Sequence, residues 1–389
     1  MKHLTLIAAA IFTLASTART EEKVDYKPAL ENYVKIVHAT YEDSLNEARE
    51  LKEVIAAFVS KPNEENLKAA KEKWIKSRQP YLQSEAFRFY GGPIDGEGGP
   101  EALINAWPMD ESYIDYVEGA PNAGMINDAE TYPEITPKVI VDLNEKAGET
   151  AISCGYHAIE FLLWGQDFNV DGPGNRPVTD YTTGKNADRR KAYLQACSAL
   201  LVGHLEDLET AWAPGKKGNY RDSFVNADDP VLSMWSAAYG AKTLSGKELS
   251  GERLLVAWDT QEQEDEHSCF SDTTTQDAVY DAKGVQNLIT GKYTRVDGSV
   301  IEGPGLFAVA KMHDEDLSKQ ISESMDTALE RVKKIPAPFD QAIHGDDDGP
   351  SRKAIMNSVE TLEDLSWLLG QLVNKVLGFR EAPETSDDG

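Results

Sequence analysis

Apolar residues recur at helical spacing almost from the start of the chain. Between Tyr26 and Ser60, the residues Leu30, Tyr33, Val34, Val37, Tyr41, Leu45, Ala48, Leu51, Ile55 and Phe58 fall at i, i+3, i+4 and i+7, which predicts one long amphipathic helix. Pro62 and Asn63 interrupt it. A second helix is expected from about Glu65 to Tyr90, stopped by Gly91-Gly92-Pro93. Along it Trp74, Arg78, Tyr81 and Glu85 share one face. Residues 91 to 135 carry Gly, Pro, Asn and Asp at turn-like density, and an ordered connection of that length is usually functional or closely packed. A third helix is expected to begin near Asn144 or Glu149 and to run to Trp164. A Gly/Pro/Asp/Asn loop then leads to a fourth, from about Ala187 to Trp212.

The second half repeats the pattern without repeating the sequence. Ser223 to Tyr239, Gly251 to Ser268, Gln276 to Leu288, Gly305 to Ile335 and Lys353 to Leu377 all read as helical. Strand signals are nearly absent, apart from a short hairpin around "GKYTRVDGSVI". The expected fold class is therefore all-α, built from two helical-bundle domains. Their expected limits are 19–215 and 216–380, with the seam in "APGKKGN". An acidic tail, 381–389, is expected to be disordered.

Composition adds a compartment and excludes some partners. Lys2 and His3 precede an apolar run, Leu4 to Ala15, and then Ser16-Thr17-Ala18, the pattern of a secretory signal peptide over residues 1–18. No Cys follows the run, so a lipid anchor is not expected. No later apolar stretch has the length of a membrane span. The formal net charge of −27 opposes binding to nucleic acid or to anionic lipid. It suits a cation, and it also suits a merely well-solvated acidic surface. Three cysteines, Cys154, Cys197 and Cys269, are too few for a disulfide scaffold, but two of them can pair in an oxidising compartment.

Four places carry candidate chemistry. In "ISCGYHAIEFLLWGQD", His157 and Glu160 stand three residues apart on a helical face, where they can converge on a metal, on a proton or on each other. Phe161 occupies the place of the second histidine of HxxEH, so the inverted zinc-peptidase motif is incomplete. Gly155, read as lying within the helix, suggests close approach of another group. In "TQEQEDEHSCFSD", a run of carboxylates passes within three residues into His267, Ser268, Cys269 and Phe270, residues that tend to bury, so the segment is a candidate cleft wall. Glu85 lies on the core face of the second helix, where a carboxylate needs a partner. Either Arg78, another helix or a metal could supply it. Asp167-Phe168-Asn169-Val170-Asp171-Gly172 matches the first half of a calcium loop, but Val178 stands where the loop needs Glu. An Asx-rich turn is the reading there.

"GYHAIEFLLWGQD", preceded by "WIKSRQPYLQSEAFRFYGGPID" and followed by "QEDEHSCFSD", resembles the imelysin-like family, in particular its iron-regulated branch of bacterial envelope proteins. The resemblance spans nearly the whole mature chain. It implies an exported, all-helical protein of two bundle-like domains packed side by side, with the GxHxxE motif beside the cleft between them. The family was first described as metallopeptidases, and this branch is produced under iron limitation with a part in iron uptake. The motif falls on Gly155, His157 and Glu160, and the tract around His267 would face it from the other domain. One departure stands out: Thr275 occupies the place of the histidine in the "SDNTH" expected of the branch.

The leading functional expectation is an iron-acquisition protein of the periplasm or outer-membrane surface that binds a metal ion, iron or zinc, or a metal-bearing small ligand. His157 and Glu160 would be ligands, with Glu85 and His267 closing the site. Two alternatives stay open. One is a metal-dependent endopeptidase using Glu160, and the other is a non-catalytic interaction protein whose partners are envelope iron-uptake proteins. If both motifs line one cleft, Cys154 and Cys269 are the expected disulfide, with Cys197 the competing partner for Cys154.

Overall fold

The computed structural model describes residues 24–169, 171–383 and 385. The expected leader, 1–18, lies outside the described residues, as does most of the acidic tail. The chain is all-α, with a single two-stranded hairpin among the described residues. Helix α1 spans Lys27–Ser60 and α2 spans Glu64–Ser84. Asn63 caps α2 by accepting from the Asn66 N–H at 2.9 Å, a contact generally worth about 1 kcal/mol. A single 3-10 turn, Glu85–Phe87, follows. The sequence reading carried this helix to Tyr90, and Phe89 at a φ of 72° ends any continuation.

Helix α3 is short, Tyr156–Trp164, and every residue in it is buried. Gly155 does not lie inside it, as the sequence suggested, but caps it at a φ of 92°. A Cβ at Gly155 would stand 2.6 Å from the Ile104 carbonyl oxygen, so both the backbone angle and the close approach require glycine. Helix α4 spans Ala187–Trp212, as expected.

In the second half, α5 (Pro230–Thr243) runs without a break into a π-helical stretch, Leu244–Leu255, and one further α-turn, Val256–Thr260. The helix expected from Gly251 to Ser268 therefore stops at Thr260, because Gln261 turns to a φ of 57°. Residues 261 to 273 become a strap across the molecule. Helices α6 (Thr274–Thr290), α7 (Glu315–Val332) and α8 (Pro350–Gln371) follow. The helix expected over Gly305 to Ile335 is split at Asp314, whose carboxylate caps α7 through the Asp316 and Leu317 N–H groups. The hairpin pairs Lys292–Thr294 with Val300–Glu302, Tyr293 opposite Ile301.

Helix α1 packs along α2 and α4, with α3 against α2 and α4. In a second group α8 packs on α7 and on the π-helical stretch, and α6 on α7. Helix α6 also lies along α2. The buried apolar residues form one connected core through both groups. That contact between α2 and α6 carries the polar residues described next.

Candidate functional site

Helix α3 is fixed before its polar residues are considered. Trp74 Nε1 donates to the Tyr156 carbonyl at 2.9 Å, and the Tyr156 hydroxyl donates to the Ser77 carbonyl at 3.2 Å. The Tyr181 hydroxyl reaches the Leu162 carbonyl at 2.5 Å. With its apolar side chains packed on all sides, α3 sets the directions of His157 and Glu160.

His157 Nδ1 lies 2.9 Å from Glu160 Oε2. The other oxygen, Oε1, accepts from the Ser271 backbone N–H at 2.9 Å and from its hydroxyl at 2.6 Å. Both side chains are buried. Burial pushes the Glu160 carboxyl up to about 8 against the pull of Ser271 and Arg78. Burial, then the nearby charge of Arg78, holds the His157 imidazole neutral, well below its ordinary value. At neutral pH the pair is therefore uncharged overall, with Glu160 protonated toward Nδ1 and the ring hydrogen on Nε2; a metal at Nε2 would displace one proton and leave Nδ1–H donating to the Glu160 carboxylate. His157 Nε2 has no hydrogen-bond partner although it is fully buried, a rare condition for a ring nitrogen.

The His267 ring stands edge-on to that of His157, 4.9 Å between centroids. Its Nδ1 is 3.0 Å from Asp277 Oδ2, and its Nε2 is 3.4 Å from Asn105 Nδ2. Asp277 in turn accepts from Arg78 Nη2 at 2.7 Å and from the Ser268 hydroxyl at 2.6 Å. Burial alone would raise Asp277, but Arg78 and His267 hold it far below the usual carboxylate range. Burial and the charge of Arg253 lower His267 to about 4. Arg78 lies over the faces of Trp74 and Tyr156, at 5.1 and 5.2 Å, and donates to Asn105 Oδ1 at 2.8 Å. The α2 face that the sequence predicted, Trp74, Arg78, Tyr81 and Glu85, is thus buried as a unit, with Asp277 of α6 as the counter-charge of Arg78.

Glu85 does not take Arg78 as its partner. The two lie two turns apart, and Arg78 is committed to Asp277 and Asn105. Glu85 binds Arg88, three residues on, and Arg253 from the π-helical stretch at 2.5 Å. Against the cost of burial, these arginines pull its carboxyl down to about 2. Arg253 also pairs with Asp281 at 2.8 Å and with Glu248 at 2.7 Å. The π geometry explains the last pair, because its i to i+5 repeat brings residues 248 and 253 into line.

A cleft of about 370 Å³ opens over these groups. His267, Asn105, Arg253, Arg88 and Glu101 line it with Trp107, and Glu145, Glu149, Lys247, Glu248 and Glu252 also face it. His267 lines this cleft, and His157 is one ring further in. Of the four residues singled out in the sequence, His157, Glu160 and His267 meet directly, while Glu85 belongs to the adjoining arginine network. Asn105, Asp277, Ser271 and Arg253 were missed. Asp277 and Asp281 did leave a signal, since they fall at i and i+4 on the face that carries Ala278, Ala282 and Val285. Ser271 and Asn105, in irregular segments, left none.

The expected disulfide is absent: Cys154, Cys197 and Cys269 are all buried free thiols. Cys154 precedes the Gly155 turn, so its side chain leaves the His157 side and leans on the Leu103 carbonyl at 3.6 Å. Cys197 approaches the Ser153 carbonyl at 3.6 Å. Asp167 does form the expected Asx turn, accepting from the Asn169 N–H at 2.9 Å.

A carboxylate holding one imidazole nitrogen while the other stands bare is the usual outer arrangement of a metal-binding histidine. In that respect His157 fits a metal, with Glu160 held between its Nδ1 and Ser271. The remaining donors do not complete a shell. Among the described residues, no group of three or more His, Cys, Asp or Glu stands in metal-holding geometry.

Comparison with known proteins places this helical chain in the imelysin family. Its sequence model matches residues 37–368, and the chain belongs to it. The chain is similar to iron-regulated protein A of Synechococcus elongatus, 24% identical over 341 residues that cover 85% of this chain and 82% of that one. Its fold is also that of a crystal structure described as an iron-regulated protein A precursor from Parabacteroides distasonis. The TM-score is 0.70 at 18% identity, over 92% of this chain and 97% of that one. No helix among the described residues is long and apolar enough to cross a membrane.

Proposed function

We propose that this protein acts in iron acquisition at the bacterial envelope, exported by its N-terminal leader, and that it binds a metal-bearing small ligand in the cleft over His267. The supporting observation is the bare, buried Nε2 of His157 immediately behind that cleft. A lone imidazole nitrogen with an orienting carboxylate and no finished shell suits a metal that brings other ligands with it. Around the cleft Glu101, Glu145, Glu149, Glu248 and Glu252 outnumber Arg88, Lys247 and Arg253, an excess that favours a cationic centre. The iron-regulated names of its relatives support iron over zinc. The peptidase reading is weaker, because both oxygens of Glu160 are engaged by His157 and Ser271 and the group is fully buried.

Calorimetric titration of the mature protein with ferric citrate and with zinc chloride tests this reading. We expect saturable binding of ferric citrate that falls at least about tenfold in His157→Ala and in His267→Ala. Equal affinity in the wild type and both variants would remove the cleft site and leave the motif a packing device. Fractionation of expressing cells checks export, which a wholly cytoplasmic protein would refute.

A further inference from the structure

The strap that carries His267 and Ser271 toward His157 and Glu160 presents two other residues away from them. Glu266 is fully buried, and neither of its carboxylate oxygens has a hydrogen-bond partner. The Thr274 hydroxyl lies near Glu266 without completing a hydrogen bond. Both oxygens of Asp272 and one of Asp340 are likewise buried, and the group that Asp272 meets is another carboxyl, that of Asp167. The charges that act most strongly on Glu266 are those of Asp340, Asp272 and Asp167, all carboxylates. Asp272 in turn faces Asp167 and Asp340.

The cluster therefore draws on three separate segments. The Asx turn supplies Asp167, the strap supplies Glu266 and Asp272, and the short helix Phe339–Ile343 supplies Asp340. Gln263 Nε2 donates to Asp167 Oδ2 at 2.6 Å, and the His344 charge acts on Asp340, beside which Asp171 adds another carboxylate. These groups cannot compensate so many buried acids. An unpaired buried carboxylate is among the costliest groups a protein can carry, so each of these acids must either hold a proton or meet a cation.

We infer that Glu266, Asp272, Asp340 and Asp167 form a binding site for a hard divalent cation of the calcium class, separate from the His157 centre and on the opposite side of the same strap. All four donors are carboxylate oxygens, and His157 and His267 are engaged with Glu160 and Asp277, which favours calcium or magnesium over zinc. No three of them already stand in metal-holding geometry among the described residues, so the side chains turn inward as the ion enters. Burial and the neighbouring acids push Asp272 up to about 7 without an ion, in keeping with a cluster that holds protons when it holds no cation. Filling the site would tie the strap to the Phe339–Ile343 helix, and so steady the placement of His267 and Ser271.

The test is titration of the EDTA-stripped mature protein with calcium chloride and magnesium chloride, followed by calorimetry and by thermal unfolding. One Ca²⁺ per chain and a rise in Tm are expected. In the double variant Glu266→Gln/Asp272→Asn, affinity should fall at least about tenfold. The amides remove repulsion, so this variant should fold, as circular dichroism checks, and should melt no lower than the stripped wild type. His157→Ala should bind Ca²⁺ like the wild type, which separates this site from the cleft. Absence of binding by the wild type at millimolar cation would overturn the proposal, as would equal binding by the double variant or loss of Ca²⁺ binding in His157→Ala.

Discussion

Replacing Asp277 by Asn tests whether the α2 to α6 contact is organised by charge. Asp277 is the direct counter-ion of Arg78 at 2.7 Å, and both side chains are almost completely buried. The substitution keeps the volume and leaves a guanidinium in the core with Asn105 and two aromatic faces as its company. Breaking a buried pair by removing one partner costs about 3–5 kcal/mol, because the remaining charge stays desolvated. Cation–π contact returns no more than about 2 kcal/mol, and both states already have it. A destabilisation of about 3 kcal/mol or more is therefore expected in urea unfolding at neutral pH, with an unchanged m-value. The double variant Arg78→Met/Asp277→Leu removes both charges and should lose at least about 2 kcal/mol less than the sum of the single variants Arg78→Met and Asp277→Leu. A single-variant cost under about 1 kcal/mol, or additive single variants, would refute the reasoning. Because Asp277 is depressed, its contribution is present above its unfolded value near 4 and is lost only as pH falls toward the far lower folded value.

Glu160 should give the opposite pH dependence. Its folded value is raised to about 8, so its favourable contribution is complete below the unfolded value and is lost as pH rises through about 8. The stability of Glu160→Gln relative to wild type should thus climb between about pH 5 and 8, with a slope of up to about 1.4 kcal/mol per unit; a flat difference would show that Glu160 is not protonated in the fold. Gly155→Ala should cost at least about 1–2 kcal/mol from the positive φ alone, and more from the Ile104 carbonyl 2.6 Å from the new Cβ, while a Tm equal to wild type would contradict that geometry. Thiol titration without reductant should find three cysteines in denaturant and none reacting quickly in the native protein, since burial raises all three thiols, Cys154 to about 12. A count of one would restore a disulfide.

The sequence by itself determined what depends on local pattern. Apolar spacing gave α1 and α4 nearly to the residue, and the face of Trp74, Arg78, Tyr81 and Glu85 as one buried stripe, because periodicity measures which side of a helix meets the core. Three separated motifs in order identified the family, which the match over residues 37–368 bears out. The step from charge to burial at His267 marked a wall of the cleft.

Partnerships were decided only by the tertiary structure. Glu85 had an arginine seven residues back in sequence, yet its charge is met by Arg88 and by Arg253, 168 residues away. Cys154 lies three residues from His157, yet a left-handed glycine between them turns its side chain elsewhere. A helical pattern continued through residue 268, yet the chain left the helix at Gln261, so that Glu266 and Asp272 face one side of the strap and His267 and Ser271 the other. Periodicity fixes a direction relative to a single helix axis. Which charge compensates which depends on how those axes cross, and in this protein α6 brings Asp277 to Arg78 while the π-helical stretch brings Arg253 to Glu85.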